Sequence, residues 1–278
     1  MEEIVFLNGK FILKEQAQLP LISPGFLYGW GLFETMRAYN NKIIYFNEHL
    51  ERIKNASKLI NIRFPYALAR LKDYIEQTVR INGFKDTYVR LTLWKNLERI
   101  TDTLIAARRY KPFSAKKHKQ GFSCLVSGFR QQENSFLVRL KTTNRLFYQL
   151  AYLQAKEKGF DEAIILNNRG YISEASRSNL FMIKDKEVLT PALECGCLGG
   201  ITQRVICDLA KRHNIKIRRG NFTLQDLYAA DAAFLTNSLM GIMPLRSVEN
   251  QQIGKAKPEC RLRCFFIKEY NLLFKNGT

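Results

Sequence analysis

Histidine is nearly absent from the chain, which has three (His49, His118 and His213), and its six cysteines include no CxxC pair. Cys195 and Cys197 stand one residue apart, but with no second close pair and no neighbouring histidine they lack the ligand spacing of a zinc site. Reduced thiols and no metal are therefore expected. Long apolar runs are missing too: none approaches the roughly 18 residues that span a bilayer, and the opening Met1-Glu2-Glu3-Ile4 is acidic where a secretory leader is basic. These absences point to a cytoplasmic protein without a membrane partner. Acidic side chains are scarce beside basic ones, 25 against 44, which leaves a net charge of +19. Basic chains of this kind often meet nucleic acid or small anions. Here the excess is spread over Arg108-Arg109, Lys116-Lys117-His118-Lys119, Lys211-Arg212 and Arg218-Arg219, and no aromatic RNP strand or zinc finger accompanies it. No nucleic-acid partner is expected; a solvated basic surface is, with a field suited to a small anionic substrate.

A chain of 278 residues buries a large core and divides into one or two domains. Ile4-Val5-Phe6-Leu7 and Phe11-Ile12-Leu13 flank Asn8-Gly9, a pair suited to the positive φ of a tight hairpin. Asn47 is the expected N-cap of a helix with Leu50, Ile53 and Ile60 on one face, and Glu48 and Glu51 suit its positive end. A second helix is predicted from Ala67 to Asn82, with Leu68, Leu71, Ile75 and Val79 in register before Gly83. Tyr88 to Trp94 reads as a strand. From Tyr110 to Gln120 the sequence turns polar and basic, which predicts a connection between domains spanning 1–116 and 117–278. Beyond it are predicted a strand at Phe122 to Ser127, a helix from Asn144 to Lys158 stopped by Gly159, and a strand pair around Asn167-Asn168-Arg169-Gly170. A helix from Thr202 to His213 follows, with Val205, Ile206 and Leu209 inward. Thr223-x-x-Asp226 then forms a capping box, and Ala232 to Leu235 a buried strand.

Three separated elements carry the chemistry: Lys141 in Leu140-Lys141-Thr142-Thr143-Asn144-Arg145, Glu174 in Glu174-Ala175-Ser176-Arg177-Ser178-Asn179, and Leu198-Gly199-Gly200-Ile201-Thr202. They offer an amine, an anion and a glycine-led helix start, the three supports that pyridoxal 5'-phosphate requires for its aldehyde, ring nitrogen and phosphate. Their order and spacing resemble the class IV aminotransferases, the fold type IV pyridoxal phosphate enzymes, with matching motifs from about Asn8 to Pro244. The resemblance implies a two-domain α+β architecture like that of D-amino acid aminotransferases: a small N-terminal α/β domain and a larger, β-barrel-like α/β domain. It also implies a homodimer.

By that resemblance Lys141 forms the Schiff base and then moves protons, a task for an amine whose pKa falls beside a cation. Glu174 matches the glutamate of the ExSxxN pattern, which keeps the pyridine nitrogen protonated so that negative charge at the substrate carbon flows into the ring. Gly200, Ile201 and Thr202 match the phosphate cup, and Leu198 lies against the ring. Arg52, in His49-Leu50-Glu51-Arg52, matches an arginine that reaches the phosphate, and Ser238 its hydroxyl partner.

Within the family, branched-chain and D-amino acid aminotransferases share the first deprotonation with 4-amino-4-deoxychorismate lyases, and only the fate of the carbanion differs. Gly25-Phe26-Leu27-Tyr28-Gly29-Trp30-Gly31-Leu32-Phe33-Glu34-Thr35-Met36-Arg37 resembles the lyase form, with Thr35 where branched-chain enzymes usually have glycine, and Tyr28 on the substrate side. Asn144-Arg145 replaces their usual Asn-Tyr, and Thr236-Asn237-Ser238 is nearer the lyase pattern. The implied activity is a lyase forming 4-aminobenzoate and pyruvate in folate synthesis, with Thr35 passing a proton to the leaving group and Asn237 beside the substrate. A class IV aminotransferase acting on branched-chain or D-amino acids is the alternative. Arg37 and Arg90 are candidate carboxylate clamps, because guanidinium forks match carboxylates bidentately. Trp30 in place of the usual aspartate and Gln203 after Gly-Ile-Thr depart from the family pattern.

Overall fold

Asn8 and Gly9 both take positive φ and turn strand β1 (Ile4–Leu7) back onto β2 (Lys10–Leu13). This hairpin opens the computed structural model, which describes residues 2–98, 100–254 and 260–276. By its contacts the chain divides into two units: Met1–Pro112 with Leu140–Asn144, and Phe113–Arg139 with Arg145–Asn276.

In the first unit, a one-turn helix α1 (Pro24–Leu27), capped by the Ser23 hydroxyl, leads into β3 (Gly31–Tyr39) and β4 (Lys42–Ile43). Helices α2 (Phe46–Leu59) and α3 (Leu68–Asn82) follow, then β5 (Asp86–Lys95) and β6 (Thr101–Arg109). The six strands form an antiparallel sheet in the order β2-β1-β6-β5-β3-β4. One face of the sheet packs Leu32, Met36, Val89, Leu91 and Leu93 against Leu50, Ile53, Leu71, Ile75 and Val79 of the two helices. Burying each of these side chains contributes roughly 1.5–3 kcal/mol, and this periodic apolar stripe is what makes both helices. Asn47 does not cap α2: the N-cap lies two residues earlier, at Tyr45 in a left-handed conformation and without a side-chain cap, because Phe46 is drawn into the core as the first helical residue. Gly83 ends α3 in the left-handed conformation that favours glycine.

The second unit opens with α4 (Ala115–Gln120), a short helix within the stretch expected as a connection; Ser114 caps it by accepting from Lys117 N. It continues through β7 (Phe122–Gln131), α5 (Leu146–Glu157), β8 (Glu162–Asn167), β9 (Ile172–Ala175), β10 (Asn179–Lys184) and β11 (Glu187–Pro191). Then come α6 (Ile201–Arg212), β12 (Ile217–Gly220), α7 (Leu224–Tyr228), β13 (Ala232–Asn237), β14 (Gly241–Val248), β15 (Gln251–Gln252) and α8 (Arg261–Asn276). Helix α7 starts at the expected capping box of Thr223 and Asp226. The sheet runs β12-β11-β10-β13-β14-β7-β8-β9, with parallel pairs at β11–β12, β14–β7 and β7–β8. A bridge between Ala175 and Ser178 brings β9 back to the start of β10, so the sheet curls on itself. Its strands are buried on both faces, which is why they read as short continuous apolar runs rather than alternating ones. Among the described residues no helix is long and apolar enough to cross a membrane.

Candidate active site

Lys141 is carried by the first unit. The segment Leu140–Asn144 lies along β3 as an added antiparallel partner: Phe33 N donates to Lys141 O, Thr143 N donates to Gly31 O, both at 2.9 Å, and Leu32 bridges Thr142. The Thr143 hydroxyl, donating to Gly29 O at 2.7 Å, ties the same segment to the turn before the strand. Gly31 is small because a Cβ there would meet the Thr143 hydroxyl at 2.9 Å. Lys141 Nζ comes to rest 4.6 Å from the centroid of the Phe33 ring.

Strand alternation places Phe33, Thr35 and Arg37 on the sheet face away from the helices, opposite Thr92, Arg90 and Tyr88 of β5. The Arg90 guanidinium stacks on Phe33 at 4.0 Å and donates to the Thr92 hydroxyl. Arg37 is held by a fork to both oxygens of Asp86, with Nε–Oδ1 at 2.7 Å. One face therefore gathers Lys141, Thr35, Arg37 and Arg90. Tyr28 ends α1 with 70 % of its surface exposed.

Arg52 faces a carboxylate that sequence reasoning missed. Glu34, on the buried side of β3, receives Arg52 Nε and Nη2, each at 2.7 Å, and His49 Nδ1 at 2.6 Å. Burial works to raise the Glu34 pKa, but the charge of Arg52, the pull of His49 and their hydrogen bonds outweigh it and hold the group at about 2. The carboxylate is thus ionised and His49 carries its proton on Nδ1. Burial lowers the His49 pKa against the opposing pull of Glu34, with Arg52 and Lys141 adding to the lowering, so the imidazole stays neutral. The sequence signal was a charged residue inside the run Leu32-Phe33-Glu34-Thr35-Met36, together with a histidine and an arginine three residues apart on a helix.

Glu174 belongs to the second unit, buried on β9 opposite Ile165. Its Oε2 accepts from Leu198 N at 3.2 Å and from Asn179 Nδ2 at 3.4 Å, and Asn179 also donates to Leu198 O at 2.8 Å. Glu174, Asn179 and Leu198 are therefore brought together, with Gly200 alongside: a Cβ on Gly200 would sit 1.9 Å from Asn179 Oδ1. Gly200 is the N-cap of α6, which has no side-chain cap and no acid in its first turn, so no side chain of the helix start competes for its first amides. Thr202 Oγ1 is buried without a hydrogen-bond partner among the described residues. A glycine-lined helix start with an orphaned hydroxyl and no anion of its own fits a phosphate dianion. A buried carboxylate held by donors beside it fits the counter-charge of a pyridinium.

Asn237 uses its amide oxygen on Leu239 N and Met240 N and its nitrogen on Arg177 O, which shapes the turn carrying Ser238. Near Glu174 the structure adds a contact made by Arg145. Arg145 Nη2 donates to Ser176 O at 2.9 Å, and its guanidinium lies 3.6 Å from the centroid of the Tyr148 ring.

The family model described as Amino-transferase class IV matches residues 31–248. Aminodeoxychorismate lyase of Bacillus subtilis (strain 168) is 28% identical, over 99% of this chain and 97% of the relative. Among solved structures, branched-chain amino acid aminotransferase of Escherichia coli superposes with a TM-score of 0.93 at 26% identity, over 100% of this chain and 96% of the other. The T.th. branched-chain amino acid aminotransferase, solved with pyridoxamine 5'-phosphate, gives a TM-score of 0.89 at 26% identity, over 96% of this chain and 94% of the other.

Proposed function

The chain belongs to the class IV aminotransferases, pyridoxal phosphate-dependent enzymes of fold type IV, and from that premise we propose that it is a 4-amino-4-deoxychorismate lyase releasing 4-aminobenzoate and pyruvate. The observation that carries the choice of lyase is Thr35, a hydroxyl on the sheet face that also holds Lys141 and Arg90, with Arg90 directly opposite it in register. The B. subtilis relative bears the same activity in its name.

Pyridoxal phosphate, when bound, draws electrons from the carbon that bears the substrate's amino group. Lys141 takes up the proton of that carbon. Thr35 delivers a proton to the departing enolpyruvate, which tautomerises to pyruvate while the ring becomes aromatic. The two products contain every atom of the substrate, so no keto acid acceptor is consumed. Arg90 and Arg37 bind the substrate carboxylates, Arg37 oriented by Asp86, and Tyr28 and Asn237 border them. Glu174 supplies the fixed anion for the ring nitrogen, and Leu198 packs on the ring. Gly200, Ile201, Thr202 and Ser238 hold the phosphate, assisted by Arg52 in the orientation that Glu34 imposes.

Two finer readings accompany this one. Leu146, Leu150 and Leu153 line one face of α5 at 71%, 43% and 42% exposure, an apolar stripe suited to a second copy of the chain. The six cysteines are free thiols, in keeping with a cytoplasmic enzyme of folate synthesis.

The test incubates cofactor-loaded protein with aminodeoxychorismate and no keto acid, following pyruvate and 4-aminobenzoate beside Lys141→Ala. Equimolar release that is absent from the variant is the expected result. Turnover only when an amino donor and a keto acid are both supplied would instead make the protein an aminotransferase of branched-chain or D-amino acids, built on the same Lys141 and Glu174.

A further inference from the structure

Strand β6 ends in two arginines, and strand alternation sends them to opposite faces of the first unit's sheet. Arg109 turns to the ring of Phe84, 5.5 Å from its centroid, while Arg108 folds over the ring of Tyr88 at 4.2 Å. In register Tyr88 stands opposite both Arg37 of β3 and Arg108 of β6. The three make one cross-strand row on the face that also holds Lys141, Thr35 and Arg90. The next row is Thr35, Arg90 and Ala106. Arg90 and Arg108 are therefore diagonal neighbours, roughly 7–8 Å apart where they leave the sheet, and the small side chain of Ala106 beside them leaves space.

The charges on this face are unequal. Arg37 gives its fork to Asp86, which answers its charge, and its guanidinium rests 4.8 Å from the Tyr110 centroid. Arg90 stacks on Phe33 and donates to the Thr92 hydroxyl, and Arg108 stacks on Tyr88. Neither of these two forms an ion pair among the described residues. Like charges this close repel unless an anion joins them. Stacking on a ring restrains each planar fork, so less freedom is lost when it grips a carboxylate at two points. We propose that Arg108 binds the second carboxylate of a cyclic dicarboxylic acid whose first carboxylate sits on Arg90, with Arg37, across Tyr88, bordering the same group. A substrate with one carboxylate leaves Arg108 unanswered, so this residue selects the class of substrate and takes no part in the bond-breaking. The proposal rests on the reading of this face as the substrate side given above.

The experiment uses titration calorimetry on cofactor-loaded protein to compare isophthalate, with two carboxylates on one ring, and benzoate, with one. Wild type is set beside Arg108→Met, Arg108→Lys and Arg109→Met, and pyruvate release from aminodeoxychorismate is followed in the same proteins. Wild type and Arg109→Met bind isophthalate about tenfold or more tighter than benzoate; Arg108→Met loses that preference and Arg108→Lys keeps part of it. In Arg108→Met the KM for aminodeoxychorismate rises by the same factor while kcat holds, the mark of binding lost uniformly. Arg108→Lys serves if Arg108→Met fails to fold. A preference absent from wild type, unchanged in the Arg108 variants, or lost equally in Arg109→Met overturns the proposal. A preference that needs Arg108, in a protein that releases no pyruvate, overturns the lyase reading and leaves the role of Arg108 standing. Pyruvate release with a preference indifferent to Arg108 does the reverse.

Discussion

Replacing Glu34 by glutamine tests whether a buried anion organises the first unit. The carboxylate is fully enclosed and receives Arg52 through a two-point fork and His49 through a third bond. Its pKa stands at about 2 against an ordinary 4.5. That gap corresponds to stabilisation on the order of 3 kcal/mol at neutral pH. A folded-state pKa below the unfolded one stabilises above the unfolded value and loses that contribution as pH falls. For Glu34 the loss spans the interval from 4.5 to about 2. His49 acts in the same direction: burial lowers its pKa, so the folded state resists protonation and stability starts to fall as pH drops through 6.5. Glu34→Gln preserves shape but strands Arg52 without its counter-charge, a change that typically destabilises by about 3–5 kcal/mol. Urea denaturation followed by tryptophan fluorescence measures it, since both tryptophans, Trp30 and Trp94, lie in the first unit. The expected outcome is a lower midpoint at pH 7 and, for the variant, a flatter pH dependence below 4.5. A variant within about 0.5 kcal/mol of wild type at neutral pH, the range of an ordinary surface substitution, would refute the reasoning.

Gly200→Ala sets a methyl group 1.9 Å from Asn179 Oδ1, so either Asn179 or the start of α6 must move. Equilibrium dialysis should show pyridoxal phosphate affinity reduced by about tenfold or more, with the unfolding midpoint changed far less. Thr35→Val removes the hydroxyl at nearly constant volume; pyruvate release should fall by about 10²–10⁴-fold, the usual worth of a positioned proton donor, while cofactor absorbance is retained. Pyruvate release at the wild-type rate would remove Thr35 from the chemistry.

Much of the local structure was legible in the residues. The Asn8-Gly9 hairpin, the two helices before Gly83, the capping box at Thr223 and the glycine-led start of α6 all depend on side chains within a few positions of one another. Strand β3 was not read as a strand, because Glu34 occupies an inward position and breaks the apolar alternation. The cap at Asn47 failed because a core contact of Phe46 outweighed a local hydrogen-bond preference. The bond from Arg145 to Ser176 O carried no signal, since it joins residues far apart in the chain.

The order of residues already carries the kinds of group that the protein uses: an amine at Lys141, an anion at Glu174 and a glycine-led helix at Gly200. Those are matters of residue identity and short-range backbone preference. What surrounds them follows from the folded chain. It laid Leu140–Asn144 against β3, joined Arg52 and His49 to Glu34, and brought Asn179 and Leu198 onto Glu174. Such pairings are settled by strand register and by the requirement that buried charges find partners, and both act between residues far apart in the chain.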